Sequence, residues 1–281
     1  MIHFALPDFF FNKDIINYFS FLDIKYFKRD DISFYCATGN FSYNYWNGGF
    51  NNNVGETTMY TSIIEDINNI NLPLRFNCSN IYLQEVDFDN VYNNLILSLG
   101  ENASNSIAIS NLDLLKYLKT HYPNYKYVFS KEANLIYKFT PEIINTILDN
   151  EDFLYLQIPE EYGANMEFLK EIKDKKRIEV PINYICSKQC SRYNNCLRHE
   201  HEAQYNFSGY NNFFHCANTN GLNSIIIPFE KIAEYEKIGI NHFYINPSII
   251  NGVEKNLLFL ITYFIKEEYQ VEVLDNFCWG Q

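Results

Sequence analysis

Short runs of β-branched and aromatic residues alternate along this chain with longer stretches whose apolar residues recur at helical spacing. The short runs are typical of buried strands, and the longer stretches are typical of amphipathic helices. Strands are predicted at 3–6, 32–36, 74–78, 106–110, 126–130, 153–158, 177–183, 223–227 and 242–245, and helices at 14–21, 88–99, 112–120, 141–148, 166–172, 229–238 and 253–266. This alternation indicates a parallel sheet with crossover helices. Eight or nine strands fit an α/β fold of the (β/α)8 TIM-barrel-like type, which an irregular or incomplete barrel would also satisfy.

Local signals support several of the predicted helix starts. Asn111 stands where an N-cap is expected, Thr140 precedes Pro141, and Pro228 leads into the helix that follows it. Asn and Thr side chains accept hydrogen bonds from free amides of the first helical turn, and proline is favoured at the first helical position.

The chain is predicted to be one barrel domain, residues 1–281, because no internal repeat and no Pro/Gly/Ser-rich linker divides it. Two irregular stretches, at about 37–57 and 187–221, are predicted to be insertions at the end of the barrel where the strands finish. The first contains Tyr45 and Trp46 among many Asn and Gly residues. It fits either a lid over a substrate or an ordered surface loop anchored by its aromatic residues.

Composition and charge narrow the classes of partner. A chain that is 47% hydrophobic and 17% aromatic is globular rather than disordered or fibrous. Its net charge of -12 repels phosphate, so a nucleic-acid partner is not expected. The first residues lack the basic start of a secretory signal, and no apolar run reaches the roughly 18 residues that span a bilayer. We therefore expect a cytoplasmic protein with no membrane segment.

Four of the seven cysteines, Cys186, Cys190, Cys196 and Cys216, lie close together after the predicted strand at 177–183. In a cytoplasmic protein, clustered thiols are more economically explained as metal ligands than as disulfides. Four thiolates suit an iron-sulfur cluster or a structural zinc ion, and buried free thiols are the remaining alternative.

Other residues near this loop widen the possible ligand set. His199, His201 and His215 allow a mixed Cys/His site, although solvent-facing loop positions explain each of them as well. Cys36 ends a predicted strand and could reach the same end of the barrel, but a small buried side chain is the simpler explanation.

Polar residues at or just past predicted strand ends are the candidates for catalysis, because a barrel fills its interior with side chains and carries function at its carboxyl-terminal end. We expect catalytic residues among Arg75, Asn77, Asn111 and Glu132, with Asn80, Lys131 and Glu160 placed similarly. A strand arginine such as Arg75 needs a carboxylate partner or an anionic ligand, and both possibilities stay open. Asn111 is also explained by its N-cap position alone. No Ser/His/Asp order, Walker motif or His-Glu-x-x-His motif is present.

Several segments carry a resemblance to a known family. They are 107–111 (Ile-Ala-Ile-Ser-Asn) with 115–119 and 122–130, Cys186-x3-Cys190-x-Arg192, and 227–243 (Ile-Pro-Phe-Glu-Lys through Asn-His-Phe). With these segments the chain resembles the barrel proteins of the collagenase-like peptidase (U32) superfamily, which includes oxygen-independent hydroxylases. Within it, the chain is most similar to a bacterial subgroup with a Cys-x3-Cys loop after a late strand.

The resemblance implies a barrel in which Cys186, Cys190, Cys196 and Cys216 hold a 4Fe-4S cluster. It further implies a redox or oxygen-independent hydroxyl-transfer reaction on a small-molecule or carrier-bound substrate, with a possible protein partner subunit. The chain departs from the family pattern at 244–248, where a basic residue is usual and none is present. The alternative is a zinc-binding or metal-free barrel that acts as a ligand- or protein-binding module.

Overall fold

The computed structural model of the protein describes residues 1–7, 9–10, 12–39, 44, 46–47, 57–69, 72–184, 225–246 and 252–279. Its strands are β1 (Ile2–Leu6), β2 (Ile32–Gly39), β3 (Leu74–Cys78), β4 (Ser106–Ile109), β5 (Lys126–Phe129), β6 (Phe153–Gln157), β7 (Ile178–Pro181), β8 (Asn183–Tyr184), β9 (Ile225–Ile226) and β10 (His242–Tyr244). Eight of these form a closed barrel in the order β1, β10, β7, β6, β5, β4, β3, β2, and every neighbouring pair is parallel. The (β/α)8 barrel expected from the sequence is confirmed.

Helices follow the barrel strands and cover the outside of the barrel. They are α1 (Lys13–Phe21), α2 (Thr57–Asn69), α3 (Val91–Leu99), α4 (Leu112–His121), α5 (Asn134–Tyr137), α6 (Pro141–Leu148), α7 (Glu160–Gly163), α8 (Met166–Glu171), α9 (Ile232–Lys237), α10 (Gly252–Phe264) and α11 (Gln270–Trp279). None of the described helices has the length and apolar character needed to cross a membrane.

The alternation of side chains along each strand separates two cores. Phe4 of β1 points outward, where its ring lies 5.4 Å from that of Phe243 and 4.8 Å from that of Phe264, as part of the large core between strands and helices. Its neighbour Ala5 points inward and belongs to a separate small cluster with Cys36 and Tyr244. The interior of the barrel therefore has its own packing, and it also holds the polar groups described below.

The helix starts follow the predicted chemistry. Asn111 accepts hydrogen bonds from the amides of Asp113 and Leu114, and Thr140 accepts one from the amide of Ile143. Both predicted N-caps are confirmed. After Pro228 the chain makes a single 3-10 turn before α9 begins.

The structure differs from the sequence-based elements in three respects. The predicted strand at 223–227 is not part of the barrel: β9 pairs antiparallel with β8, while β10 takes the place beside β7. Strand β2 runs on to Gly39, into the stretch assigned to the first insertion, because residues 37–39 pair with 74–76 of β3. Helices α2, α5, α7 and α11 were not predicted: α5 and α7 have four residues each, and α11 has one buried residue, Val273, to mark its inner face.

Candidate functional site

The interior of the barrel contains a buried ion pair between strands on opposite walls. Arg75 of β3 donates two hydrogen bonds to Glu179 of β7, from Nη1 to Oε2 at 2.6 Å and from Nη2 to Oε1 at 2.7 Å. Its Nε donates to the hydroxyl of Ser106 at 3.3 Å. The two charged side chains are 1% and 0% exposed. Of the two roles that the sequence left open for Arg75, this geometry favours the structural ion pair over a site for an anionic ligand.

Two tyrosines enclose this ion pair. The hydroxyl of Tyr35 donates to Oε1 of Glu179, and the guanidinium carbon of Arg75 lies 5.5 Å from the ring centroid of Tyr35 and 6.0 Å from that of Tyr155. Burial raises the pKa of Tyr35 well above its ordinary value, and the nearby charge of Glu179 adds to the effect. Tyr35 is therefore a neutral hydrogen-bond donor that helps to hold the carboxylate in place.

Two stacked histidines lie toward the amino-terminal end of the interior. The rings of His3 and His242 are 4.7 Å apart, and Nε2 of His242 is 3.1 Å from the hydroxyl of Tyr155. Burial lowers the pKa of His242 to about 4, with a further contribution from His3. His242 is consequently uncharged at neutral pH and adds no positive charge beside Arg75.

A series of polar contacts connects the buried pair to the carboxyl-terminal end of the barrel, which we call the mouth. Nε2 of Gln157 donates to Glu179 at 3.3 Å, and the hydroxyl of Ser130 lies 3.3 Å from Oε1 of Gln157. The same hydroxyl contacts the carboxylate of Glu132. Since Ser130 has one proton, it can donate to only one of these acceptors at a time. Glu132 thus stands at the outer end of a network anchored in the barrel interior.

A second ion pair lies at the mouth itself. Lys131 contacts the carboxylate of Glu160, and its Nζ donates to Oδ1 of Asn246 at 2.9 Å. The ring of Tyr244 lies 5.6 Å from this ammonium group. The Lys131 and Glu160 side chains are 21% and 17% exposed, so the pair is shielded yet within reach of a ligand.

A buried hydroxyl near the mouth has no hydrogen bond within the described part of the chain. It belongs to Ser110, at the end of β4. Asn77, two residues after Arg75 on β3, is half-buried. An unsatisfied buried polar group costs about 1–3 kcal/mol, and such groups are tolerated most often where a ligand or water completes them.

The segment that carries the four clustered cysteines begins and ends at the mouth. Strands β8 and β9 form an antiparallel ribbon in which Tyr184 pairs with Ile225. Asn183 and Asn246 tie this ribbon to the end of β10 through three hydrogen bonds of 2.6–3.0 Å. The predicted ligands Cys186, Cys190, Cys196 and Cys216, and the three nearby histidines, lie outside the described residues.

The predicted catalytic residues take different positions. Glu132 and Asn77 face the mouth, whereas Arg75 lies deeper in the interior. Asn111 lies at the start of α4, and its side-chain hydrogen bonds within the described residues are structural: besides capping the helix, its amide donates to the carbonyl of Leu83 at 2.9 Å.

Cys36 is buried beside Tyr244, and burial raises the pKa of its thiol to about 12, which agrees with the packing role. Trp46 of the first insertion is fully buried, as expected of a loop anchored by aromatic residues.

Sequence reasoning did not select Ser110, Gln157 or Glu179. Glu179 carried a usable signal, because it is an acidic residue inside the apolar stretch Ile-Glu-Val-Pro, and a buried arginine elsewhere requires such a partner. Ser110 and Gln157 are ordinary strand-end residues that only the three-dimensional arrangement distinguishes. Among the described residues, no group of three His, Cys, Asp or Glu side chains could hold a metal ion.

Comparisons with known proteins give information on the fold of the chain and not on its activity. No protein-family model and no curated protein matches the chain. Among solved structures, it is similar to the U32 peptidase Mk0906, with a TM-score of 0.53, 11% sequence identity and coverage of 88% of this chain and 93% of that chain. A thiamine phosphate pyrophosphorylase from Pyrococcus furiosus aligns with a TM-score of 0.44 and 10% identity over 97% of this chain and 96% of that chain. The first similarity supports a U32-like barrel fold.

Proposed function

We propose that this protein is an enzyme whose active site is the mouth of the barrel and whose cofactor is a 4Fe-4S cluster bound by Cys186, Cys190, Cys196 and Cys216. The proposed reaction is a redox or oxygen-independent hydroxyl transfer on a small or carrier-bound substrate. The observation that carries the proposal is the β8–β9 ribbon, which joins both ends of the cysteine segment to the mouth.

Chain connectivity supports this placement of the cysteines. Cys186 follows Tyr184 by two residues, so covalent geometry keeps their Cα atoms within about 8 Å of each other. The residue before Tyr184, Asn183, exchanges hydrogen bonds with Asn246, whose side chain accepts a hydrogen bond from Lys131. A metal site that includes Cys186 would therefore lie near the polar residues of the mouth.

The chemistry of the thiols supports the same choice of ligands. Burial raises the pKa of Cys36 to about 12 and the pKa of Cys78 still further, so neither thiol is a ready thiolate. Cys278 is exposed near the end of α11. The four clustered cysteines are the donors left, and four thiolates are the usual ligand set of a 4Fe-4S cluster, which supplies single-electron transfer when bound.

The residues of the mouth would bind and orient the substrate. Lys131 can attract a negatively charged substrate group while Glu160 and Asn246 fix its position. Glu132 can accept a proton, and its contact with Ser130 sets the orientation of its carboxylate. The unsatisfied hydroxyl of Ser110 and the half-buried amide of Asn77 can hydrogen-bond a polar substrate.

The test is anaerobic purification followed by analysis of iron, sulfide and zinc and by visible spectroscopy. A 4Fe-4S protein is expected to show broad absorption of visible light at about 400 nm. Replacing Cys186, Cys190, Cys196 or Cys216 by Ser should abolish the absorption and the iron content. The matched control is Cys278→Ser, an exposed cysteine outside the segment, which should keep both.

Two other results would reject this function. Stoichiometric zinc bound by the same four cysteines would show that the protein is a zinc-binding barrel and not a redox enzyme. Absence of any metal in freshly prepared anaerobic protein would leave the barrel as a metal-free module that binds a ligand or a protein.

A further inference from the structure

A groove of ≈ 650 Å³ lies on the surface between α1 and α11. Part of its lining is formed by Phe21, Leu22, Asp23 and Tyr26, from the stretch that leads from α1 to the start of β2. Because the strands begin on this side of the barrel, the groove lies away from the mouth. It is thus independent of the proposed active site.

Two tyrosines form fixed walls of the groove. The hydroxyl of Tyr18 donates to the carbonyl of Val273 at 2.9 Å, and the hydroxyl of Tyr26 donates to Oε1 of Glu272 at 2.8 Å. Both hydrogen bonds run to α11 and hold the rings in place. The groove is therefore formed before any ligand arrives, which lowers the entropic cost of binding.

Further aromatic surface continues from these walls into solvent. The ring of Phe277 packs edge-on against that of Tyr18 at 5.4 Å and completes one side. Phe21 lines the groove and is 73% exposed, and nearby Ile24 is 44% exposed. Large apolar side chains exposed together beside a groove are typical of a surface that another molecule covers.

The charged groups of the groove all have the same sign. Asp14 and Asp23 line it, and no lysine or arginine is among its described lining residues. Asp14 has no ion-pair or hydrogen-bond partner in the described part of the chain. The side-chain amides of Asn17 and Asn276 belong to residues that also line the groove. The groove thus offers several acceptors to a ligand that carries hydrogen-bond donors and positive charge.

A cation already lies at the rim. Nζ of Lys25 is 4.7 Å from the ring centroid of Tyr26 and 4.0 Å from Oδ2 of Asp23. This arrangement shows that the combination of an aromatic face and a carboxylate here accommodates a positive charge.

We propose that this groove binds an arginine-bearing, apolar segment of a partner protein. A guanidinium group has five donors in one plane and stacks on aromatic rings, so it matches carboxylates and an amide oxygen between aromatic walls better than a lysine ammonium does. A protein segment, rather than a free small cation, would also cover Phe21 and Ile24 outside the groove. The net charge of -12 favours the approach of a basic segment.

The test uses a fluorescein-labelled peptide in which arginines alternate with leucines, and the same peptide with neutral citrulline at each arginine. Fluorescence anisotropy should show binding of the arginine peptide and about tenfold weaker binding of the citrulline peptide. The double variant Asp14→Asn/Asp23→Asn should also weaken binding of the arginine peptide by about tenfold. Asn at position 23 keeps the acceptor that caps the following turn.

The matched control removes the same amount of charge elsewhere. Glu151→Gln/Glu171→Gln alters two exposed carboxylates outside the groove, and the arginine peptide should bind this variant as it binds the unaltered chain. Phe21→Ser should weaken binding as well. Melting curves of all variants establish that they are folded.

Each of the following results would overturn the proposal: no binding of the arginine peptide, equal binding of the citrulline peptide, or equal weakening by the control variant. Without binding of the arginine peptide, the groove is not a site for such a segment. Equal binding of the citrulline peptide would mean that only apolar contacts hold the peptide. Equal weakening by the control variant would mean that the peptide is attracted to the acidic surface as a whole. A dimer in analytical ultracentrifugation that Phe21→Ser dissociates would assign the groove to a second copy of the chain instead.

Discussion

Among the ion pairs of the described residues, Arg75–Glu179 is the one whose disruption should cost this protein most, because both side chains are fully buried. Replacing Glu179 with Gln leaves the guanidinium of Arg75 buried without its counter-charge. Breaking one side of a fully buried ion pair typically lowers the free energy of unfolding by about 3–5 kcal/mol. We therefore expect Glu179→Gln to lower the urea midpoint strongly.

The double variant Arg75→Met/Glu179→Leu separates the cost of an unpaired charge from the value of the pair itself. It should recover most of the lost stability, because two apolar side chains of similar size need no desolvation of charge. The exposed pair Lys116–Asp113, with side chains 78% and 74% exposed, is the control, and Lys116→Met there should leave the urea midpoint nearly unchanged. A loss below about 1 kcal/mol for Glu179→Gln would mean that water reaches the barrel interior.

At the residue scale, the sequence showed that Arg75 needs a partner of opposite charge, but it did not show which residue that partner is. An arginine in an apolar strand calls for a carboxylate, yet Glu179 lies 104 residues further along the chain and on the opposite wall of the barrel. Only closure of the barrel brings the two together. The mouth residues show the same limit: Glu132 was predicted from its position after a strand, whereas its link to Ser130 and Gln157 depends on neighbouring strands.

Among the elements, α4 offers a direct test of what Asn111 does. Asn111→Ala removes the acceptor for two amides and the donor to Leu83, so it should lower the free energy of unfolding by about 1–2 kcal/mol. Asn165, the N-cap of α8, accepts one amide hydrogen bond and serves as the comparison. Asn165→Ala should lower the free energy of unfolding by about 1 kcal/mol. If Asn111→Ala leaves the urea midpoint unchanged, capping does not account for this residue and the catalytic prediction regains support.

Elements with strong periodicity or clear end signals could be predicted from the sequence, and elements without them could not. Helix α4 has Leu114, Leu115 and Leu118 on its buried face and a capping residue before it. Helix α2 follows the polar stretch of the first insertion, and Ile64 and Ile67 are in the core among its described side chains. Strand β9 contains two residues, too few to separate a ribbon strand from a barrel strand by pattern alone.

For the whole molecule, the decisive property is that the barrel closes without the cysteine segment. Strand β10 bonds to β7 on one side and to β1 on the other, and neither contact uses β8 or β9. In the described part of the chain, the two strands that flank this segment are joined to the barrel through the Asn183–Asn246 hydrogen bonds. Metal binding in that segment and folding of the barrel should consequently be separable.

Replacing residues 185–224 with an Asn-Gly turn tests this separation. Tyr184 and Ile225 are paired antiparallel, so a two-residue turn can join them without moving either strand. The shortened chain should keep the circular dichroism spectrum of an α/β protein and lose all bound metal. Its urea midpoint should be at least that of the metal-free full chain, because the entropic cost of closing the shorter connection is lower by about 2.6 kcal/mol. If the shortened chain fails to fold while the metal-free full chain unfolds cooperatively, the segment contributes to the core, and a metal bound there would then stabilise the barrel as well as serve the mouth.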